Sequence, residues 1–476
     1  QINGEIAKYT SQYFDIFQDN EGGQISRFSE IQAAGGLLNG VSPQSSFGLF
    51  GNIGSQPNFY RKYDNQQFRI SADGSADIGN HALQLGVQFE QRIQSRYAVG
   101  DNGGNGPINL WTLARQLQNS HLSELDKSDS TVTFPDGTFA FITYPVLVNL
   151  ASQSTFDRNL RESLGLDPDG NEIINVDALN PDQLDLALFS PDELLNSGQN
   201  YVSYFGYDYT GKKINSSTSI NDYFTEVDDN GNFSRTVGSF NPSYISGYII
   251  DKFALKDIIF NVGVRVDRYD ANQSVLIDPY VFGATFKAGE VGEIGGQEVS
   301  HPNGIGSDYV VYVDDVNDPT RIVGYRDDEK WFDANGAPVQ DPALLEVGGS
   351  INPYLVNGGG NENDIKNLTS AFQDYKPQVN VMPRIAFSFP ISDVALFFAH
   401  YDILTQRPSG NNILNPVDYL FIRDVAGSRN LSEPNLRSEK TTDYELGFQQ
   451  VVSKSSSIKL SIFYRQMQDQ IQVRSY

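Results

Sequence analysis

Strict alternation of apolar and polar residues most limits what this chain can fold into. Across residues 67–78 the even positions are Phe68, Ile70, Ala72, Gly74, Ala76 and Ile78, and the odd ones are Gln67, Arg69, Ser71, Asp73, Ser75 and Asp77. A period of two puts successive side chains on opposite faces of an extended strand, one oily and one wet. Beyond the turn residues Gly79-Asn80 the pattern resumes, with Leu83, Leu85, Val87 and Phe89 against Gln84, Gly86, Gln88 and Glu90. Residues 244–253 lead through Leu255-Lys256-Asp257 into Ile258, Phe260, Val262, Val264 and Val266, opposed by Ile259, Asn261, Gly263, Arg265 and Asp267. Pro383, Ile385, Phe387 and Phe389 alternate with Arg384, Ala386 and Ser388, and residues 394–401 follow a short turn. Tyr444, Leu446 and Phe448 oppose Glu445, Gly447 and Gln449, then Ile458, Leu460, Ile462 and Tyr464 oppose Lys459, Ser461 and Arg465, with Phe463 as the exception on the wet face. Four hairpins follow from this pattern, and residues 9–17 form a weaker ninth strand.

These strands run about 9–13 residues, the length that crosses a bilayer when tilted, whereas soluble strands are more often about 5–6. A large soluble sandwich or propeller also alternates, so connector lengths decide between the two. Within each hairpin the turn is short. Between hairpins the connections span roughly 150, 105 and 40 residues, more unstructured chain than compact domains carry. Short turns on one side and long loops on the other are the habit of membrane barrels, because unpaired backbone is excluded from lipid. Aromatics near strand ends (Tyr244, Tyr248, Tyr269, Tyr401 and Tyr464) are expected to form interfacial girdles. The expected fold is therefore all-β, a transmembrane antiparallel β-barrel with very long extracellular loops. Residues 1–92 would hold the first barrel strands, 93–243 a loop region, 244–269 a hairpin, 270–376 a second loop region, and 377–476 further hairpins with a loop at 402–441.

Composition removes other classes. A formal charge of −25 argues against nucleic-acid binding, which needs clustered Lys and Arg. With no cysteine there is neither a disulfide nor a thiolate site, and His81, His121, His301 and His400 form no HExxH pair. No apolar run approaches the ~18 residues of a membrane helix. No GxSxG elbow, Walker loop or GxGxxG motif is present, so no catalytic residue, cofactor or metal ligand is expected. Asp228-Asp229-Asn230-Gly231-Asn232, Asp333-Ala334-Asn335-Gly336 and the stretch around Gly170 invite a calcium reading. An EF-hand register on Gly231 puts Val237 at position 12, however, so these segments are expected to be Asp/Asn-Gly turns. Residues 178–196 read as an acidic amphipathic stretch with helix starts at Pro181-Asp182 and Pro191-Asp192. The run Tyr201, Tyr204, Phe205, Tyr207 and Tyr209 is expected to pack inside a folded loop.

The hairpins also resemble a known family. Val381-Met382-Pro383-Arg384-Ile385-Ala386-Phe387-Ser388-Phe389 through Ala395-Leu396-Phe397-Phe398-Ala399-His400-Tyr401 resembles the "SPRLGLSY … LYASYG" hairpin of TonB-dependent outer-membrane receptors. Asn430-Leu431-Ser432-Glu433-Pro434-Asn435-Leu436-Arg437-Ser438-Glu439-Lys440-Thr441-Thr442-Asp443-Tyr444-Glu445-Leu446-Gly447 resembles their "NPxLKPEKTTNYELG" segment. Tyr464-Arg465-Gln466-Met467-Gln468-Asp469-Gln470-Ile471 resembles "YRxxxxDxI", with the Asp one residue early. Phe260-Asn261-Val262-Gly263-Val264-Arg265-Val266-Asp267-Arg268-Tyr269 is similar to "LNLGLRYDRY", and His81-Ala82-Leu83-Gln84-Leu85-Gly86-Val87 to "HxLKFG". The pieces keep the family's order, and the flavour is that of the large receptors of the Bacteroidota.

The resemblance implies part of a 22-stranded barrel, closed by an N-terminal plug, in the cell outer membrane. It would take up a bulky solute (siderophore, glycan, peptide or similar) with energy from a TonB complex. The chain shows no plug signature, TonB box or signal peptide, so the expectation is an interior barrel portion of a larger receptor. Its partners would be outer-membrane lipid, the TonB complex through the missing N-terminal part, and a surface lipoprotein lid or other outer-membrane subunits. Wet-face residues Arg69, Asp73, Gln84, Glu90, Arg265, Asp267, Arg384 and Glu445 would line the lumen, with Arg265, Asp267, Arg384 and Glu445 as substrate-binding candidates. The blander reading is favoured, in which these residues pair with a plug or with one another and hold no substrate, since a packed barrel wall needs such pairs anyway. Two rivals stand beside transport. One is a receptor-like barrel that acts as a structural docking subunit of an outer-membrane assembly, and the other a secreted soluble β-adhesin.

Overall fold

The computed structural model describes residues 59–100, 106–134, 137, 141–214, 218–358, 365–408, 412–422, 431–432 and 434–471; the weak strand at residues 9–17 lies outside them. Eight strands form one antiparallel meander, each hydrogen-bonded to the next in chain order: β1 (Tyr60–Ile78), β2 (His81–Val99), β3 (Ser243–Leu255), β4 (Ile258–Asp270), β5 (Gln378–Ser392), β6 (Ala395–Gln406), β7 (Glu439–Ser453) and β8 (Ser456–Gln468). A ninth, Val202–Phe205, pairs with Arg96–Val99. The all-β antiparallel expectation holds, and no described helix is long and apolar enough to cross a membrane. The strands exceed the expected length, with 19 residues in β1 and in β2, because flanking residues without alternation still pair. Short turns follow β1, β3, β5 and β7. Gly79 (φ 62°) and Lys256 (φ 55°) adopt left-handed conformations to close the first two.

Register places the oily residues of neighbouring strands opposite one another. Leu85 pairs with Ile249 and Ile249 with Val264, while Ala399 pairs with Leu446 and Leu446 with Ile462. This face is uncovered: Phe68, Leu85 and Leu460 are 56, 53 and 66 % exposed, and Val264 is half-buried. On the opposite face Glu90, Ser246, Asp267 and Asp443 are buried. The usual order of a soluble sheet is inverted. Two aromatic rows cross the oily face. Phe253, Phe260, Phe387 and Phe397 follow one another at ring separations of 5.2, 6.2 and 6.0 Å. Tyr401, Tyr444 and Tyr464 stand at 4.9 and 6.1 Å. Three expected girdle residues do not belong to these rows. Tyr244 pairs with Glu90 and Tyr248 with Gly86, while Tyr269 pairs with Tyr244, so the period of two turns all three to the polar face.

The chain divides into two compact units. One takes residues 1–64, 95–218 and 225–239. It contains helices α1 (Leu110–Leu117), α2 (Thr155–Ser163) and α3 (Pro191–Leu195), of which α2 and α3 carry side-chain caps. The Ser154 hydroxyl accepts the Asp157 N–H at the start of α2, and Ser190 and Glu193 exchange bonds in a capping box at α3. Helical turns do start at Pro181 and Pro191: residues 178–196 hold the 3₁₀ turns Pro181–Gln183 and Leu186–Leu188 and then α3. Trp111, Leu113, Phe156, Leu160, Val176 and Leu194 fill the core, joined by Tyr201 and Tyr207 of the aromatic run. A buried ionic network ties the helices. Asp157 accepts from Arg161 Nε at 2.9 Å and from the Asn119 N–H at 2.6 Å, and Arg115 grips Asp177 with two bonds of 2.8 Å.

The second unit holds residues 65–94, 219–224 and 240–476. Besides the meander it contains a five-stranded antiparallel sheet in which Ile322–Asp327 lies between Lys330–Asp333 and Val310–Val313. Arg326 is buried at its centre. It pairs with Asp278, donates to Tyr312 Oη at 2.9 Å, and lies over the rings of Tyr280 and Trp331. One turn recurs three times among the described residues, built on an aspartate followed three positions later by glycine. Asp208 Oδ1 accepts from Thr210 and Lys212 N–H, Asp228 Oδ1 from Asn230 and Asn232, and Asp333 Oδ1 from Asn335 and Ala337. Gly211, Gly231 and Gly336 supply the positive φ. Two of the segments that invited a calcium reading, at Asp228 and Asp333, are such hairpin turns; around Gly170 the Asp167 carboxylate accepts the Asp169 N–H in a turn with no flanking strands.

Candidate functional site

Strand order puts the short turns at one end of the meander and the long connections at the other. At the long-connection end of the polar face, side chains from β2, β3, β4 and β6 surround a cleft of about 360 Å³. Glu90, Arg92, Tyr244, Tyr269, Arg407 and Asn412 line it, with Phe240 and Gln406 beside them. Glu90 is almost wholly buried, and one of its oxygens accepts from two guanidinia, Arg92 Nε at 2.8 Å and Arg407 Nη2 at 3.2 Å. The Arg407 guanidinium lies 5.2 Å over the Tyr244 ring, the separation of a cation–π contact. Beneath it the Tyr244 hydroxyl donates to Asp267 at 2.5 Å and accepts from Arg265 at 2.8 Å. Arg265 completes the network with Asp267 at 2.7 Å and Ser246 at 2.9 Å.

Two of the sequence candidates, Arg265 and Asp267, thus belong to one network that holds up the cleft floor. Arg384 and Glu445 lie elsewhere on the same face. Arg384 stands 3.3 Å from Asp402, and Glu445 stands 3.4 Å from His400. Register continues this row across the sheet, Arg384 opposite Asp402, Asp402 opposite Asp443, and Asp443 opposite Arg465, with the last pair at 2.6 Å. Arg69 donates to Gln88 at 2.8 Å, Asp73 accepts from Tyr248 at 2.8 Å, and Gln84 is exposed. The four named candidates therefore do not converge on one point.

Sequence reasoning missed Tyr244, Tyr269, Arg92 and Arg407. Alternation did contain a signal for the first three, since carrying the Gln88–Glu90 phase forward selects Arg92, and pairing Glu90 across the hairpin selects Tyr244 and then Tyr269. Arg407 follows the end of β6, where periodicity stops. Chemically the cleft offers two guanidinium forks, phenols and amides around one carboxylate. That set recognises polar or anionic groups and contains no nucleophile with an adjacent base.

No protein-family model and no curated protein sequence matches the chain. Among solved structures it is similar to the ferric-catecholate import receptor Fiu of E. coli K12 in its closed form, at 10 % identity over 86 % of this chain and 32 % of that one, with a TM-score of 0.27. It is also similar to the copper transporter OprC, at 9 % identity over 87 % and 32 %, TM-score 0.29. A third is a double mutant of the Serratia marcescens hemophore receptor HasR in complex with its hemophore HasA and heme, at 9 % identity over 86 % and 40 %, TM-score 0.27. The chain spans between 32 and 40 % of the length of these structures.

Proposed function

We propose that this chain supplies wall strands and external loops of a TonB-dependent outer-membrane receptor that imports a bulky solute. The observation that carries the reading is the inverted sheet, whose aliphatic and aromatic face is open while its carboxylates and guanidinia pair on the other side. Water tolerates scattered apolar side chains but not a continuous oily wall, and lipid covers such a wall without cost. Length agrees. Strands of 12–15 residues at about 3.3 Å per residue and a tilt of about 35–45° climb roughly 30–40 Å, enough for a hydrocarbon core of about 30 Å.

In this reading the polar face looks into the lumen, the long connections lie outside the cell, and the cleft around Glu90, Arg92 and Arg407 is the first polar surface that an entering solute meets. Arg265, Asp267, Arg384 and Glu445 hold the wall through their pairs. By their names the three similar structures handle a ferric catecholate, copper, and heme with its hemophore. A TonB complex would supply the energy, and a surface lipoprotein or other outer-membrane subunit would dock on the loops. The docking-subunit reading draws on the first unit, which has its own core and needs no cargo.

Membrane orientation is tested by spin labels on single cysteines, since the chain has none of its own. Labels at Leu85 and Leu446 are expected to collide with dissolved oxygen, and labels at Gln84 and Glu445 with a water-soluble relaxation agent. Equal water access at all four sites refutes the wall. Uptake is tested by comparing which solutes cells with and without the protein deplete from the medium. A protonophore is expected to stop accumulation while leaving surface binding intact, and accumulation that persists would favour the docking role.

A further inference from the structure

Arg265, Arg384 and Arg465 each face an aspartate of their own on the polar face, but Arg92 and Arg407 share one carboxylate. Among the described residues each of the two makes one side-chain hydrogen bond, and both bonds end on the same oxygen, Glu90 Oε1. A guanidinium is a planar fork of several N–H donors, so most of theirs stay unclaimed. The Tyr244 ring steadies Arg407 without taking a donor. The segment beyond Arg407 is tied down as well, because Gln273 donates to the Asn412 carbonyl and accepts the Leu414 N–H at 3.0 Å. Glu90 is almost wholly buried, whereas the two arginine side chains are 38 and 33 % exposed, so the unclaimed donors are open to what enters the cleft.

We propose that this cleft binds a carboxylate group carried by an organic solute, with Arg92 and Arg407 as its donors. The proposal rests on the import reading for the solute's route but not for binding itself. Charge selects the ligand. Two guanidinia and Glu90, the one carboxylate among the described lining residues, sum to a single positive charge, which a monoanion cancels. A dianion such as phosphate would leave excess negative charge beside the buried Glu90. Geometry agrees, since a carboxylate oxygen already sits between the two guanidinia at 2.8 and 3.2 Å, and a planar carboxylate fits the remaining edge of a fork with two parallel bonds. The volume of about 360 Å³ is at the small end of ligand pockets, about 300–1,000 Å³, and holds the carboxylate with a ring-sized part of its carrier. Phe240, Pro242 and Pro408 give that part an apolar wall.

The probe is 4-fluorobenzoate, titrated into the full-length protein in detergent micelles and followed by fluorine NMR line broadening, with 4-fluorobenzamide as its uncharged match. The acid is expected to bind at least tenfold more tightly than the amide. Arg407→Gln, which leaves Arg92 to hold Glu90, should weaken the acid at least tenfold, and Glu90→Gln, which frees both guanidinia, should tighten it at least threefold. Lys330→Gln removes an exposed cation of the five-stranded sheet and should change nothing. Inorganic phosphate should displace the probe at least tenfold less readily than unlabelled benzoate does. Equal binding of acid and amide, an unchanged affinity in Arg407→Gln, or an equal loss in Lys330→Gln overturns the proposal. Displacement by phosphate as ready as by benzoate overturns the choice of a carboxylate. No binding of the acid by the parent overturns the site even where the spin labels uphold the wall, and binding that persists where the labels refute the wall removes the import reading alone.

Discussion

Lysine in place of Leu446 distinguishes a sheet bathed in lipid from one bathed in water. Leu446 is 56 % exposed and stands in the middle of β7, seven residues from Glu439 and seven from Ser453. Val452, six residues further on beside the turn, is 60 % exposed. Six residues cover about 20 Å of strand and, at a tilt near 40°, about 15 Å along the membrane normal, half of the hydrocarbon core. Leu446→Lys therefore puts an ammonium near the midplane and should cost about 2–4 kcal/mol, while Val452→Lys reaches the interface and should cost about 0–1 kcal/mol. If both sites faced water, each change would stay within about 0.5 kcal/mol, as exposed substitutions do. The assay is urea unfolding of the full-length protein in phosphatidylcholine vesicles, read as the shift in midpoint at constant slope. A Leu446→Lys variant as stable as its parent, or equal in stability to Val452→Lys, refutes the membrane wall.

Two further outcomes concern the five-stranded sheet and its turns. Arg326→Met leaves the buried Asp278 without its cation and should cost about 3–5 kcal/mol, whereas Arg326→Met with Asp278→Leu should recover most of that; amide exchange of Val310–Val313 reports both. Burial alone would raise the Asp314 carboxyl, but the Thr320 hydroxyl and the N–H groups of Thr320 and Arg321 hold it down at about 2. A lowered carboxyl stabilises the fold above its ordinary value of about 3.9 and loses that contribution as pH falls toward 2. Protection of the Arg321 amide should therefore fade across that window in the parent and stay flat in Asp314→Asn.

Alternation made the sheet legible because a period of two states both which residues share a face and which strand neighbours they meet. Leu85, Ile249 and Val264 sit side by side as that rule requires. The same rule, applied to Tyr244, Tyr248 and Tyr269, would have turned them to the polar face; placing them in a girdle used residue type and ignored phase. How residues 100–242 fold was not legible, because helix and 3₁₀ turns of three to nine residues leave no sustained period, and their core forms from contacts distant in sequence, such as Phe156 on Phe189 and Arg115 on Asp177. The recurring Asp-x-x-Gly turns were legible as turns. Their hydrogen bonds show why the aspartate leads, since one carboxylate oxygen replaces two backbone acceptors at each turn.

Charge on the polar face does not by itself point to cargo. The row of Arg384, Asp402, Asp443 and Arg465 carries two positive and two negative groups, and each arginine faces an aspartate, so the row is neutral without any ligand. Arg265 and Asp267 cancel in the same way. The cleft differs because Arg92 and Arg407 share a single carboxylate, Glu90, and both side chains remain about a third exposed, at 38 and 33 %. Among the described residues one more guanidinium than carboxylate lines this place, on a chain of charge −25. Such a surplus, partly exposed cation is free to meet an anion with charge-assisted hydrogen bonds. If the proposed import function holds, the place where paired charge gives way to surplus charge, at the long-connection end of the polar face, is where an anionic group would bind.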